Sequence, residues 1–199
     1  MGPKVPNHLL LEAGLTLLNG LGKTATKIST GSRSMRYRLD DGSTVRVRTC
    51  NDHVLVALAG SAQEGAKLNI EGTDYLLIVM PEQARTHGNV IAYFLPTDVA
   101  VAAVRKSHKE WLASRPKTSG DNRTWNVWFD DFGTAWSGFE KKWARYRLQG
   151  ELKAMSEQHQ PEKSGASVPL GDVISAARKQ IALAAGVPID AVKITVTLE

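Results

Sequence analysis

Cysteine is almost missing from this chain of 199 residues: Cys50 stands alone. A single thiol excludes an internal disulfide and a cysteine-built zinc site, and it fits a reducing cytoplasm. No apolar run reaches the roughly 18 residues that a membrane span needs, so no membrane partner is expected. The opening MGPKVPNHLLLEAGLTLL is too polar at its start and too short in its apolar part for a secretory signal. Histidines are few, and His53, His87 and His108 show no metal-ligand spacing. No nucleophile elbow or Ser/His/Asp order is present. NGLGKTATK contains Gly-Lys-Thr, but its earlier glycine is one residue too close and no strand precedes it, so it is no phosphate loop. No internal repeat is found. No catalytic residue, metal site or cofactor is therefore assigned.

What the chain does have is positive charge in two places. The net charge is +5. Lys23 to Arg48 holds seven basic residues against Asp40 and Asp41, and Arg105 to Arg147 holds ten against five acidic ones. Each segment carries +5, and the remainder carries −5. Two basic segments on an otherwise acidic chain point to a polyanionic partner, with ordinary solvated surface as the alternative.

Hydrophobic periodicity predicts an α+β fold: a mixed central sheet flanked by helices, a Trp-rich helical extension and a small C-terminal helix-strand unit. NHLLLEAGLTLLNGLG repeats apolar residues at helical spacing, with Asn7 as the expected N-cap and Asn19-Gly20 as the stop. Strands are expected at ATKIST, MRYRL, TVRVRT, HVLVALA, DYLLIVMP and VIAYFLP, with turns at Asp41-Gly42, Asn51-Asp52 and His87-Gly88-Asn89. DYLLIVM and VIAYFL are nearly continuous apolar runs, which places them centrally, covered on both faces. Thr97 opens a second helix with Val99, Ala102, Ala103 and Lys106 on successive turns. The expected division is a core domain at 1–113, a basic Trp-rich extension packed on it at 114–155, a linker at 156–167 and a helix-strand unit at 168–199.

The stretch SMRYRLDDGSTVRVRTC carries four arginines in one expected hairpin. Asp40-Asp41-Gly42 suits a three-residue loop, a type I turn followed by a left-handed glycine. That register pairs Leu39 with Ser43, Tyr37 with Val45 and Met35 with Val47 on an apolar face. It sets Arg36 opposite Arg46 on the other face, with Arg38 and Arg48 nearby. Like charges directly opposite cost roughly a few tenths to 1 kcal/mol. Either carboxylates such as Glu12, Glu71 or Asp74 interleave with the guanidinium groups, or the cluster awaits an external anion, for which the planar fork suits phosphate.

The order helix, charged hairpin, apolar strand, apolar strand ending in Pro, then helix resembles the restriction-endonuclease-like fold, the PD-(D/E)xK family, over residues 7–113. In YRLDDGSTVRVRTCN, Val45, Val47 and Thr49 match that family's apolar and threonine positions. The family's Asp position is Arg38, its acidic position Arg46 and its Lys position Arg48. The family's chemistry needs carboxylates to hold Mg²⁺. The resemblance therefore implies a degenerate member whose metal site has become a basic phosphate-contacting patch.

All five tryptophans lie between Trp111 and Trp143, interleaved with Lys and Arg. Trp136, Phe139 and Trp143 recur at helical spacing, which favours packing and puts Lys141, Lys142, Arg145 and Arg147 on the wet side. Asp130 and Asp131 are adjacent and diverge, so they suit solvation or capping. The leading expectation is a non-catalytic DNA-binding protein, regulatory or associated with a bacterial plasmid or phage, using Arg36, Arg38, Arg46, Arg48, Lys141, Lys142 and Arg145. One alternative is an interaction module that forms a homo-oligomer through the Trp-rich segment or the C-terminal unit. The other is an Mg²⁺-dependent endonuclease with an unorthodox site from Asp40 or Asp41 and Glu71 or Asp74.

Overall fold

A computed structural model describes residues 3–28, 35–63, 65–114, 122–152, 178 and 191–193. The chain divides into two compact units, Met1–Ala154 and Met155–Glu199. In the second unit, the Arg178 Nε–H donates to the Val192 carbonyl at 2.9 Å. The expected linker and nearly all of the expected C-terminal helix-strand unit lie outside the described residues.

The first unit is α+β. Helix α1 (Asn7–Gly20) leads into strands β1 (Ala25–Lys27), β2 (Arg36–Leu39), β3 (Thr44–Thr49), β4 (Val54–Leu58), β5 (Tyr75–Pro81) and β6 (Asn89–Pro96). Helix α2 (Thr97–Ala113), strand β7 (Thr124–Trp128), the single turn α3 (Phe139–Lys142) and strand β8 (Arg147–Glu151) follow. Six strands form one mixed sheet in the order β1-β2-β3-β5-β6-β8, in which only β3 and β5 run parallel. The other two, β4 and β7, form a separate antiparallel pair. Among the described residues no helix is long and apolar enough to cross a membrane.

The centre of the sheet is β5, as its apolar run predicts, and Leu76 through Met80 are fully buried. Side chains alternate along a strand, so the two faces receive different partners. Leu77 and Val79 pack with Leu10 and Leu18 of α1. Leu76, Ile78 and Met80 pack with Leu55, Trp125, Phe129 and Trp143. Helix α1 comes very close to the sheet because Gly14 has no side chain. A Cβ there would stand 2.5 Å from Val79 Cγ2. The same close approach recurs at β8, where a Cβ on Gly150 would lie 2.8 Å from Leu17 Cδ2.

Three local expectations are corrected. Asn7 is the first residue of α1 rather than its cap. Pro6 precedes it, the Leu9 and Leu10 N–H groups both donate to the Pro6 carbonyl, and no side chain caps the end. The inward residues of α2 are Ala100, Val104, Ser107 and His108, while Ala102 and Lys106 face solvent. Small and polar groups fill this face because it abuts the backbone of β7, whose Asn126 carbonyl accepts from the Ser107 hydroxyl at 3.1 Å. The helix expected around Trp136, Phe139 and Trp143 is a single turn. Gly138 enters it at φ 74°, and Trp143 leaves helical geometry. The chain then pairs with β6 as strand β8, satisfying the backbone of an otherwise open sheet edge.

Candidate nucleic-acid interface

The hairpin forms in the expected register. Tyr37 pairs with Val45 and Arg36 with Arg46. The Leu39 N–H donates to Ser43 O at 2.8 Å and the Val47 N–H to Met35 O at 2.8 Å. Gly42 takes φ 84°, the left-handed conformation that the three-residue loop requires. Asp41 accepts from the Ser43 N–H at 2.9 Å, from the Ser43 hydroxyl, and from Lys23 Nζ at 2.9 Å. These bonds hold its carboxyl well below the usual carboxylate range.

The apolar face of the hairpin joins the α1 side of the core through Tyr37, Leu39, Val45 and Val47. Its arginine face turns toward β4 and the arm that continues it. That arm folds back on itself: Ala59 bridges Leu68, Gly60 N–H donates to Lys67 O, and Asn69 N–H donates to Leu58 O. Asn69 Oδ1 accepts from Leu58 N–H at 3.1 Å, which leaves its amide nitrogen as a donor. From α2, Arg105 ties the arm down by donating to Ala66 O and to Glu71 Oε1, both at 2.9 Å. Glu71 also accepts from Leu68 N–H at 3.0 Å.

Between hairpin and arm lies an open cleft of about 440 Å³. Arg36 and Arg46 line it from the sheet, and Lys67, Asn69 and Glu71 from the arm, with Leu58, Ala59, Gly60 and Leu68 between them. Arg36 and Arg46 are half-buried and Lys67 is exposed. Burial, then the neighbouring charges of Arg36 and Arg48, lower the Arg46 pKa. The Arg36 Nε is buried without an acceptor. Gly72, at φ 90°, lies beside the Arg36 side chain: a Cβ there would stand 3.6 Å from Nη2, an ordinary contact distance.

Of the proposed interleaving carboxylates, Glu71 and Asp74 are engaged elsewhere. Glu71 serves Arg105, Asp74 accepts from the Thr44 N–H and hydroxyl at 2.7 and 2.8 Å, and Glu12 is exposed on α1. Among the described residues, no carboxylate pairs with Arg36, Arg38 or Arg46. Of the carboxylates suggested for an unorthodox metal site, Asp41 accepts from Ser43 and Lys23, Asp74 from Thr44, and Glu71 from Arg105 and Leu68 N–H. Among the described residues, no group of three or more His, Cys, Asp or Glu side chains is placed to hold a metal. No protein-family model, curated protein or solved structure matches this chain.

The other expected contact residues do not join the cleft. Arg48 is fastened to β4, donating to the Val56 carbonyl at 2.9 Å. Arg38 is exposed, opposite Thr44. Lys141 pairs with Asp131 at 3.3 Å. Lys142 donates to the carbonyls of Ala135 and Ser137, both at 2.7 Å. Arg145 lies 4.6 Å from the Tyr146 ring and donates to its hydroxyl. The tryptophans mostly pack. Trp125 and Trp143 are buried, and Trp125 stacks on His108 with centroids 4.2 Å apart. Burial lowers the His108 pKa.

Lys67, Asn69 and Arg105 gave no sequence signal as site residues, because their roles depend on the arm folding back over the hairpin. Another tertiary pairing escaped notice in the same way. His53 bonds Asp130 Oδ1 at 2.8 Å and the Pro81 carbonyl at 2.7 Å, joining residues 77 apart in sequence.

Proposed function

We propose that this chain is a non-catalytic DNA-binding protein that receives backbone phosphate at the Arg36–Arg46 cleft. The observation that carries this reading is the directly opposed arginine pair, which has no carboxylate partner among the described residues and lines an open cleft with Lys67. A like-charged pair costs stability in the free protein, and a bound phosphate turns that cost into charge-assisted hydrogen bonds. Exposed Arg38 extends the positive surface along β2. The likeness to a restriction-endonuclease platform draws support from element order, in which α1, the β2–β3 hairpin, β5, β6 and α2 come in that sequence with β1 and β4 interposed. Where that family places metal-binding and catalytic groups, this chain presents Arg38, Arg46 and Arg48. Guanidinium groups grip phosphate but cannot ligate a cation.

The test is fluorescence anisotropy of a labelled DNA duplex across a salt series, with wild type and the Arg36→Gln/Arg46→Gln variant. Phosphate contacts give a log–log salt slope of about −0.9 per phosphate neutralised on duplex DNA. The double variant is expected to bind more weakly and with a shallower slope. Binding by neither protein, or equal binding by both, overturns the reading.

A further inference from the structure

We infer that the Arg36–Arg46 cleft selects a dianionic phosphomonoester and, within the DNA-binding reading on which this inference rests, the terminal phosphate of a DNA strand. The first reason is charge. Three cations and one carboxylate line the cleft: Arg36, Arg46 and Lys67 against Glu71. Their sum is +2, and it is +3 when Arg105, which holds Glu71 at 2.9 Å, is counted with them. A phosphomonoester carries about −1.5 to −2 at neutral pH, whereas each internal phosphate of DNA carries a single charge. Per phosphate group, the monoester offsets more of that charge than an internal diester does.

The second reason is hydrogen-bond count. A monoester presents three terminal acceptor oxygens and an internal diester presents two. The cleft's lining residues carry more donors than two oxygens use: two guanidinium groups from the sheet, the exposed Lys67 ammonium, and Asn69, whose amide oxygen is taken by Leu58 N–H at 3.1 Å.

The experiment compares DNA hairpins bearing a terminal phosphate or a terminal hydroxyl, labelled in the loop, with inorganic phosphate and a nucleoside monophosphate as competitors. The phosphorylated end is expected to bind at least about tenfold more tightly, a difference of about 1.4 kcal/mol. Arg46→Gln should erase that advantage. Millimolar inorganic phosphate should also raise the wild-type unfolding temperature, a readout that needs no variant to fold. Equal binding of both ends, lost in Arg46→Gln, overturns the terminal preference but leaves the backbone-phosphate reading standing. Equal binding of both ends that Arg46→Gln leaves unchanged overturns both. A nucleoside monophosphate that binds as tightly as the phosphorylated hairpin overturns the assignment to a DNA end, and so does the absence of any thermal shift with phosphate.

Discussion

Replacing Arg46 by Met should make the free protein more stable. Arg46 lies directly across from Arg36, and its pKa is lowered by burial and by the charges of Arg36 and Arg48. A base whose folded pKa is lowered pays for its charge at every pH where it remains protonated. For arginine that spans the whole working range, so mutation rather than titration is the usable perturbation. Methionine keeps an apolar stem against the sheet and removes the charge. Relief of one like-charge cross-strand pair is worth roughly a few tenths to 1 kcal/mol. For a chain of this size that corresponds to a rise of roughly 1–4 °C in unfolding temperature. The assay is thermal unfolding followed by circular dichroism at about 0.05 M and 1 M salt. The gain should be larger at low salt, because the screening length falls to about 3 Å at 1 M. Inorganic phosphate should narrow the gap by stabilising only the wild type. If Arg46→Met instead loses about 1 kcal/mol or more at low salt, Arg46 has a stabilising internal partner and the cleft is not an anion site.

Other outcomes follow from the packing and the carboxylates. Gly14→Ala gains helix propensity worth about 1 kcal/mol but drives a methyl into Val79, at an overpacking cost of about 1–3 kcal/mol, so urea unfolding should show a net loss of about 1 kcal/mol. The buried Cys50 thiol, pushed up to about 12 by desolvation, should resist a thiol-specific reagent at neutral pH in the native protein and react at once in denaturant. Asp41 has a carboxyl held low by the Ser43 hydroxyl, Lys23 and the Ser43 N–H, so its contribution is present above the unfolded pKa of about 3.9 and is lost as pH falls below it. Asp41→Asn should therefore flatten the acid limb of a stability–pH curve measured by denaturant unfolding; an unchanged limb would show that the loop carboxylate does not matter to folding.

The hairpin was legible from residue order alone. The Asp40-Asp41-Gly42 loop and strict alternation leave one register that buries Tyr37, Val45 and Val47 together, and that register forces Arg36 against Arg46. The central place of β5 and β6 was legible for a similar reason, since a continuous apolar run is stable only when both faces are covered. Short-range rules served less well around Phe139. Helical spacing of Trp136, Phe139 and Trp143 was outweighed by the backbone pairing that β6 offered to β8. The entry to α1 was likewise set by Pro6 rather than by the polar side chain of Asn7.

What residue order determined by itself is the charge arrangement: two arginines opposed on one face of a hairpin, in a chain with few other chemical groups to explain them. Whether those arginines lay bare, were neutralised or lined a recess was decided only by the tertiary structure. Glu71 was available in the sequence as a neutralising partner, but Arg105, 34 residues away, claims it. Arg48 was indistinguishable from Arg46 by pattern, yet it is fastened to the Val56 carbonyl by the packing of β4. Long-range partners compete for each charged group, and alternation along a strand carries no information about which partner wins.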